Sequence, residues 1–218
     1  MSEAEWEWNN KTLQMIEHLR TTAPRRKLRL YVYACVCRLG GLVTDERFHR
    51  AFSLLEQSAE GLATESEIET VSHAMRAAME GIGADTAHYA CWVADDRTDT
   101  HYYTNSVAAS AVRDIVVGTR NRKSRVTRKI EERVQATFIR DIFGNPFRPV
   151  AFSPSWRTDT AVILASQMYE SRDFSLMPIL ADALQDAGCD NDDILTHCRG
   201  SGPHVRGCWV VDLVLGRE

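Results

Sequence analysis

The sequence predicts an all-α fold, a single compact helical domain of about eight helices with one ordered loop rich in proline and aromatic residues. Three observations predict it. Apolar residues recur at spacings of three and four in one window after another. The segment from Leu28 to Cys37 is apolar on nearly every side, the mark of a helix at the centre of a core. Between the periodic windows stand helix caps and Gly or Pro stops, with no sustained run of strand-like alternation.

The elements follow in chain order. Ser2 with Glu5 forms a capping-box pattern, so a short helix opens the chain and presents Trp6 and Trp8. From Lys11 to Arg20, Leu13, Ile16 and Leu19 fall three apart, and Met15 widens the same side. Pro24 suits the first turn of the next helix, which runs to about Leu39 before Gly40 and Gly41 stop it. Its start carries Arg25, Arg26 and Lys27, the wrong sign for the positive end of a helix dipole. Acidic neighbours or solvent would settle these charges; a phosphate or acidic partner is the alternative. Thr44 caps a helix to about Gly61, and Thr64 with Glu67 opens another carrying Ile68, Val71, Met75 and Met79. Residues 85 to 93 are ambiguous: Tyr89, Cys91 and Val93 alternate as a strand would, while the Ala-rich surroundings and Asp85 as a cap favour a short helix. Asn105 to Val117 read as a further helical stretch.

Between Thr119 and Arg133 the charge turns one-sided, with Arg120, Arg122, Lys123, Arg125, Arg128, Lys129 and Arg133 against Glu131 and Glu132. Val126, Ile130, Val134 and Phe138 fall four apart, so at least part of the run is one face of a helix. A solvated face is the everyday reading of such a run, and contact with nucleic acid or an acidic partner is the other. No aromatic residues interleave with the charges to stack on bases. DIFGNPFRPVAFSPSW then breaks the helical pattern. Its prolines and Gly144 forbid a continuous helix, while Phe143, Phe147, Phe152 and Trp156 are anchors for an ordered loop. Beyond it, Thr158 or Asp159 caps a helix to about Glu170, Ser175 caps one that Gly188 ends, and Asp190 caps a short one ending near His197. Pro203 starts the last helix. A soft boundary near residue 140 would separate an N-terminal helical part from a C-terminal part that holds cysteine and histidine, all within one domain spanning 1–218.

Composition narrows the function classes. The chain has 218 residues, of which 44% are hydrophobic and 26% charged, enough to build a core and ordinary for a globular protein. A formal charge of -4 argues against a general nucleic-acid coat. The polar, acidic start is unlike a secretory signal, and no stretch reaches the ~18 apolar residues of a membrane span. A cytoplasmic protein with reduced thiols is expected. Signatures of phosphate loops, dinucleotide binding, HExxH zinc sites and GxSxG hydrolases are missing, so no enzyme class has positive support.

The chain's distinctive chemistry gathers between Pro178 and Gly216, where three of the six cysteines lie. Cys189, His197, His204 and Cys208 supply two thiolates and two imidazoles, a set that zinc accepts in closed tetrahedral sites. Their spacing, C-x7-H-x6-H-x3-C, matches no standard finger. The alternative makes Cys189, Cys198 and Cys208 small core fillers, with His197 capping carbonyls at a helix end. A Cys208–His204 nucleophile is the third possibility, but successive turns of one helix seldom aim a thiolate and its base at a shared substrate.

EAEW, RKLRLYVYACVCR, TDERFHRA, DIFGNPFRPVAFSPSW and PILADALQDAGCDNDDILTHCRGSGPHVRGCWVVDLVLG together resemble a multi-copy family of bacterial proteins, some of whose members carry the SUKH superfamily label. The likeness covers the chain to about residue 60 and nearly all of it after Arg140. It implies no known activity and assigns no catalytic residue; the SUKH label itself implies an α/β fold, against the helical periodicity read above. The function expected is a non-catalytic interaction or adaptor domain whose partner is another protein. The alternatives are nucleic-acid binding through the basic segment and a metal-dependent or thiol enzyme.

Overall fold

The computed structural model describes residues 1–38, 46–79 and 125–217, and the protein is all-α. Among the described residues there are ten α-helices and no strand. The helical stretches read within residues 85–117, and Thr44, Gly40 and Gly41, lie outside them. Two compact units divide the chain, Met1–Ile139 and Arg140–Glu218.

In the first unit, α1 spans Glu3–Trp8, α2 Thr12–Leu19 and α3 Arg25–Cys37. The expected capping box opens α1: the Ser2 hydroxyl accepts from the Glu5 amide and the Glu5 carboxylate accepts from the Ser2 amide. Of its two tryptophans Trp6 is buried and Trp8 is 82% exposed. On α2 the buried set is Met15, Ile16 and Leu19, whereas Leu13 faces outward. Helix α3 is the central one. Leu28, Leu30, Tyr31, Val32, Ala34, Cys35 and Val36 are all buried, spread around its circumference. Pro24 sits just before α3 as its N-cap, not inside the first turn. Arg26 on that first turn pairs with Glu60 at 3.4 Å, and Arg29 donates to the Ser58 carbonyl. The basic start of α3 is therefore drawn to the end of α4 (Glu46–Ala59). Helix α5 (Glu65–Met79) begins with the second capping box, in which Thr64 and Glu67 exchange amide and side-chain bonds.

Helix α6 (Arg125–Phe143) departs from the expected stripe. Ile130 is 55% exposed, and the buried positions are Glu131, Gln135, Ala136, Phe138, Ile139, Asp141 and Ile142. Two polar residues thus occupy core positions of the first unit, and Arg38 is the reason. Its Nε and Nη2 donate to both oxygens of Glu131 at 2.7 to 2.9 Å, while Gln135 Nε2 donates to Glu131 Oε1 at 3.4 Å. A two-pronged guanidinium pair satisfies a carboxylate that burial would otherwise forbid.

The second unit holds the end of α6 and four further helices: α7 (Asp159–Ser171), α8 (Met177–Asp186), α9 (Asp192–Arg199) and α10 (Trp209–Leu215). Its core is Ala161, Ala165, Met168 and Tyr169 from α7, Met177, Leu180, Ala181 and Leu184 from α8, Ile194, Leu195 and Cys198 from α9, and Val210, Val211 and Val214 from α10, with Cys189 and Cys208 from the connecting segments. Phe152 and Trp156, in the loop before α7, pack against this cluster with their rings 5.5 Å apart and edge to face. The loop is thus held by its aromatic residues. Thr158 caps α7, accepting from the Ala161 amide. Leu176, not Ser175, occupies the cap of α8, and Asn191, not Asp190, caps α9 by accepting from the Ile194 amide. Arg157 donates to the carbonyls of Leu213 and Val214, supplying the positive charge that the last turn of α10 favours.

The last helix starts at Trp209, not Pro203. Gly202 and Gly207 adopt φ of +72° and +92°, outside the helical region, so residues 200 to 208 form a connecting loop.

Replacing Arg38 with Ala strands a carboxylate that is 2% exposed, and a stability loss of about 3–5 kcal/mol is expected. The double replacement Arg38→Met with Glu131→Leu should recover most of that loss. Denaturant unfolding of the single and double variants checks both.

Candidate metal centre

Four side chains of the second unit converge. Asp141 is on the buried side of the last turn of α6, His197 in the last turn of α9, His204 in the connecting loop, and Cys208 at its end as the N-cap of α10. One ligand atom from each lies within 4.8 Å of the other three. Local sequence explains the placement. Gly144, at φ +65°, stops α6 just beyond Asp141, and Gly200 ends α9 after His197. The positive-φ glycines at 202 and 207 then turn the chain back, presenting His204 and Cys208 from a loop.

Asp141 is the hub. Its Oδ1 accepts from His204 Nδ1 at 2.7 Å and lies 3.2 Å from His197 Nε2; its Oδ2 accepts from the Val205 amide at 2.8 Å. The same His197 Nε2 is 3.2 Å from Cys208 Sγ. The two imidazoles meet edge to face with centroids 4.9 Å apart, and the Trp209 ring stands 5.2 Å from that of His197. Cys208 and Asp141 are almost wholly enclosed, and the His204 side chain is 8% exposed. Nε2 of His204 is buried and has no hydrogen-bond partner, so protein groups alone leave this ring half-satisfied.

Electrostatics follow from enclosure. Burial would raise the Asp141 carboxyl, but hydrogen bonds and positive charge from His197 and His204 outweigh it and hold it below its ordinary range. Burial, reinforced by the Asp141 charge, pushes the Cys208 thiol well up. Cys198 is raised to about 12, first by burial and then by its neighbours Cys189 and Asp141. Without a cation, then, these sulfurs are neutral thiols. A bound cation reverses that, since a coordinating thiol is deprotonated outright.

The arrangement does not suit a nucleophilic relay. In a Cys–His–Asp relay the base uses one nitrogen toward the sulfur and the opposite one toward the carboxylate. Here a single nitrogen, His197 Nε2, faces both Sγ and Oδ1.

Three of the four residues that the sequence singles out, His197, His204 and Cys208, are brought together, and Asp141 completes the group. Cys189 stands apart from it, buried in the apolar cluster of the second unit. It occupies the turn after α8, where its amide donates to the Leu184 carbonyl. Cys198 is buried in the same cluster. His204 and Cys208 do not share a helical face, because residues 203 to 208 are not helical. Asp141 was missed because it lies far from the others in sequence, in a helix rich in polar residues. The signal it carried was a carboxylate one residue before buried Ile142, just ahead of the Gly-Asn-Pro stop.

Of the basic residues, Arg120, Arg122 and Lys123 lie outside the described residues, as does the side chain of Arg125. Arg128 and Lys129 are exposed on the first turns of α6. No helix among the described residues is long and apolar enough to cross a membrane. The five described cysteines, Cys35, Cys37, Cys189, Cys198 and Cys208, are all free of disulfides.

A Cβ on Gly144 would stand 3.2 Å from the Trp209 indole, and the φ of +65° is itself unfavourable for any L side chain. Gly144→Ala is expected to cost about 1–2 kcal/mol from backbone conformation alone. It should also displace Trp209 from beside His197. Thermal unfolding and tryptophan emission read the two effects separately. Family models, curated proteins and solved structures, each compared with this chain, give no match.

Proposed function

We propose that this chain is a non-catalytic binding module whose C-terminal unit is organised by a metal ion held by Asp141, His197, His204 and Cys208. The observation that carries the reading is the convergence of two imidazoles, a carboxylate and a thiol within 4.8 Å, the carboxylate and thiol buried and the imidazoles part-buried. Nitrogen, sulfur and oxygen of these kinds are all donors that zinc accepts, four at a time. Burial of Asp141 and Cys208, with the two histidines part-buried, favours a structural ion over a catalytic one, which keeps a coordination position open to substrate. As in the sequence reading, the partner we favour for the module is another protein, met in a reducing compartment such as the cytoplasm.

The ion would tie together three stretches of chain: the end of α6, the end of α9 and the loop leading into α10. Its removal should therefore loosen that loop first. Protein purified without chelator is expected to hold one zinc per chain by elemental analysis. Chelation should lower the melting temperature and speed tryptic cleavage after Arg199 and Arg206, and added zinc should reverse both. A chain that carries no metal after dialysis against zinc, with melting and cleavage unchanged by chelator, would remove the reading.

A further inference from the structure

Resting on that reading, we infer that the ion is a thiolate-bound d-block cation, zinc foremost, closed by four protein ligands with Cys208 as its one sulfur and Asp141 binding through a single oxygen. Hard cations are disfavoured by the inventory of donors. Calcium takes six to eight oxygens at roughly 2.3–2.6 Å, and magnesium keeps an octahedron of oxygens. This cluster offers one carboxylate, and its Oδ2 is already committed to the Val205 amide at 2.8 Å. Only Oδ1 is left to face the centre. Nitrogen and sulfur make up the rest, a mixture suited to zinc or cobalt rather than to oxygen-seeking ions.

The spacing is somewhat tighter than a tetrahedral ion needs. Tetrahedral bonds of about 2.0–2.3 Å place neighbouring ligand atoms roughly 3.3–3.7 Å apart. His197 Nε2 is 3.2 Å from both Asp141 Oδ1 and Cys208 Sγ. His204 Nδ1, at 2.7 Å from Oδ1, needs to withdraw by well under 1 Å to make room. The sulfur is specific to Cys208. Cys189, Cys198 and Cys208 all border the apolar cluster, but of the three only Cys208 is in the converging group.

Cobalt tests this directly on the full chain. Stripped protein is titrated with Co(II), then challenged with Zn(II), Mg(II) or Ca(II), alongside the Cys208→Ser and Cys189→Ser variants. The expected result is the intense visible spectrum of tetrahedral cobalt with a sulfur-to-metal charge-transfer band. Cys189→Ser keeps that band and Cys208→Ser loses it. Zinc should displace cobalt one for one, and a 100-fold excess of magnesium or calcium should not. Should Cys208→Ser fail to fold, X-ray absorption of the zinc-loaded wild type gives the same answer, with one zinc–sulfur distance near ~2.3 Å expected. Cobalt binding without a thiolate band, a band lost in Cys189→Ser but kept in Cys208→Ser, or displacement by calcium overturns the inference while leaving a metal site standing. Failure of every ion to bind overturns the metal reading beneath it.

Discussion

The second unit depends on one buried carboxylate. Asp141 accepts from His204, lies within reach of His197, and receives the backbone amide of Val205. An apolar side chain in its place would leave these part-buried groups without their shared acceptor. A protonated Asp141 would forfeit much of the same benefit, which is why the two rings beside it matter. They keep the group ionised where burial alone would not.

Around that polar centre the packing is apolar and ordinary. Helices α7 to α10 meet through Ala161, Ala165, Leu180, Leu184, Ile194 and Val211, and the aromatic loop seals one flank with Phe152 and Trp156. Tyr169 lies under the guanidinium groups of Arg206 and Arg217, each 4.3 Å from the ring centroid. Since Arg206 belongs to the loop between His204 and Cys208, that stack holds the loop from outside while Asp141 holds it from within. The first unit repeats the theme with other chemistry. There the buried charge is Glu131, and its counterpart is an arginine just past the end of α3.

Helix positions were largely legible in the sequence because their signals are local. A hydroxyl and a carboxylate three residues apart specify a start, as at Ser2 and Thr64, whatever the rest of the chain does. What escaped was anything decided by a distant residue. The face that α6 buries is set by Arg38, so reading its apolar residues alone chose a stripe in which Ile130 is exposed. The start of α10 was misjudged for a related reason. Pro203 fits a first helical turn, but Gly207 at φ +92° ends any helix begun there. Within the candidate centre, His197, His204 and Cys208 stood out as unusual residue types close together in sequence. Asp141 did not, since nothing near it announces that a helix end will meet a loop more than sixty positions later.

The double role of His197 Nε2 limits where its proton can sit. That nitrogen carries at most one proton, yet it stands 3.2 Å from both a sulfur and a carboxylate oxygen. With the proton on it, the nitrogen serves the oxygen and has no lone pair to offer the thiol. With the proton gone, it can accept from the thiol but turns a lone pair toward a negative charge. Neither tautomer contents both neighbours, so where the imidazole proton sits decides which of the two is served.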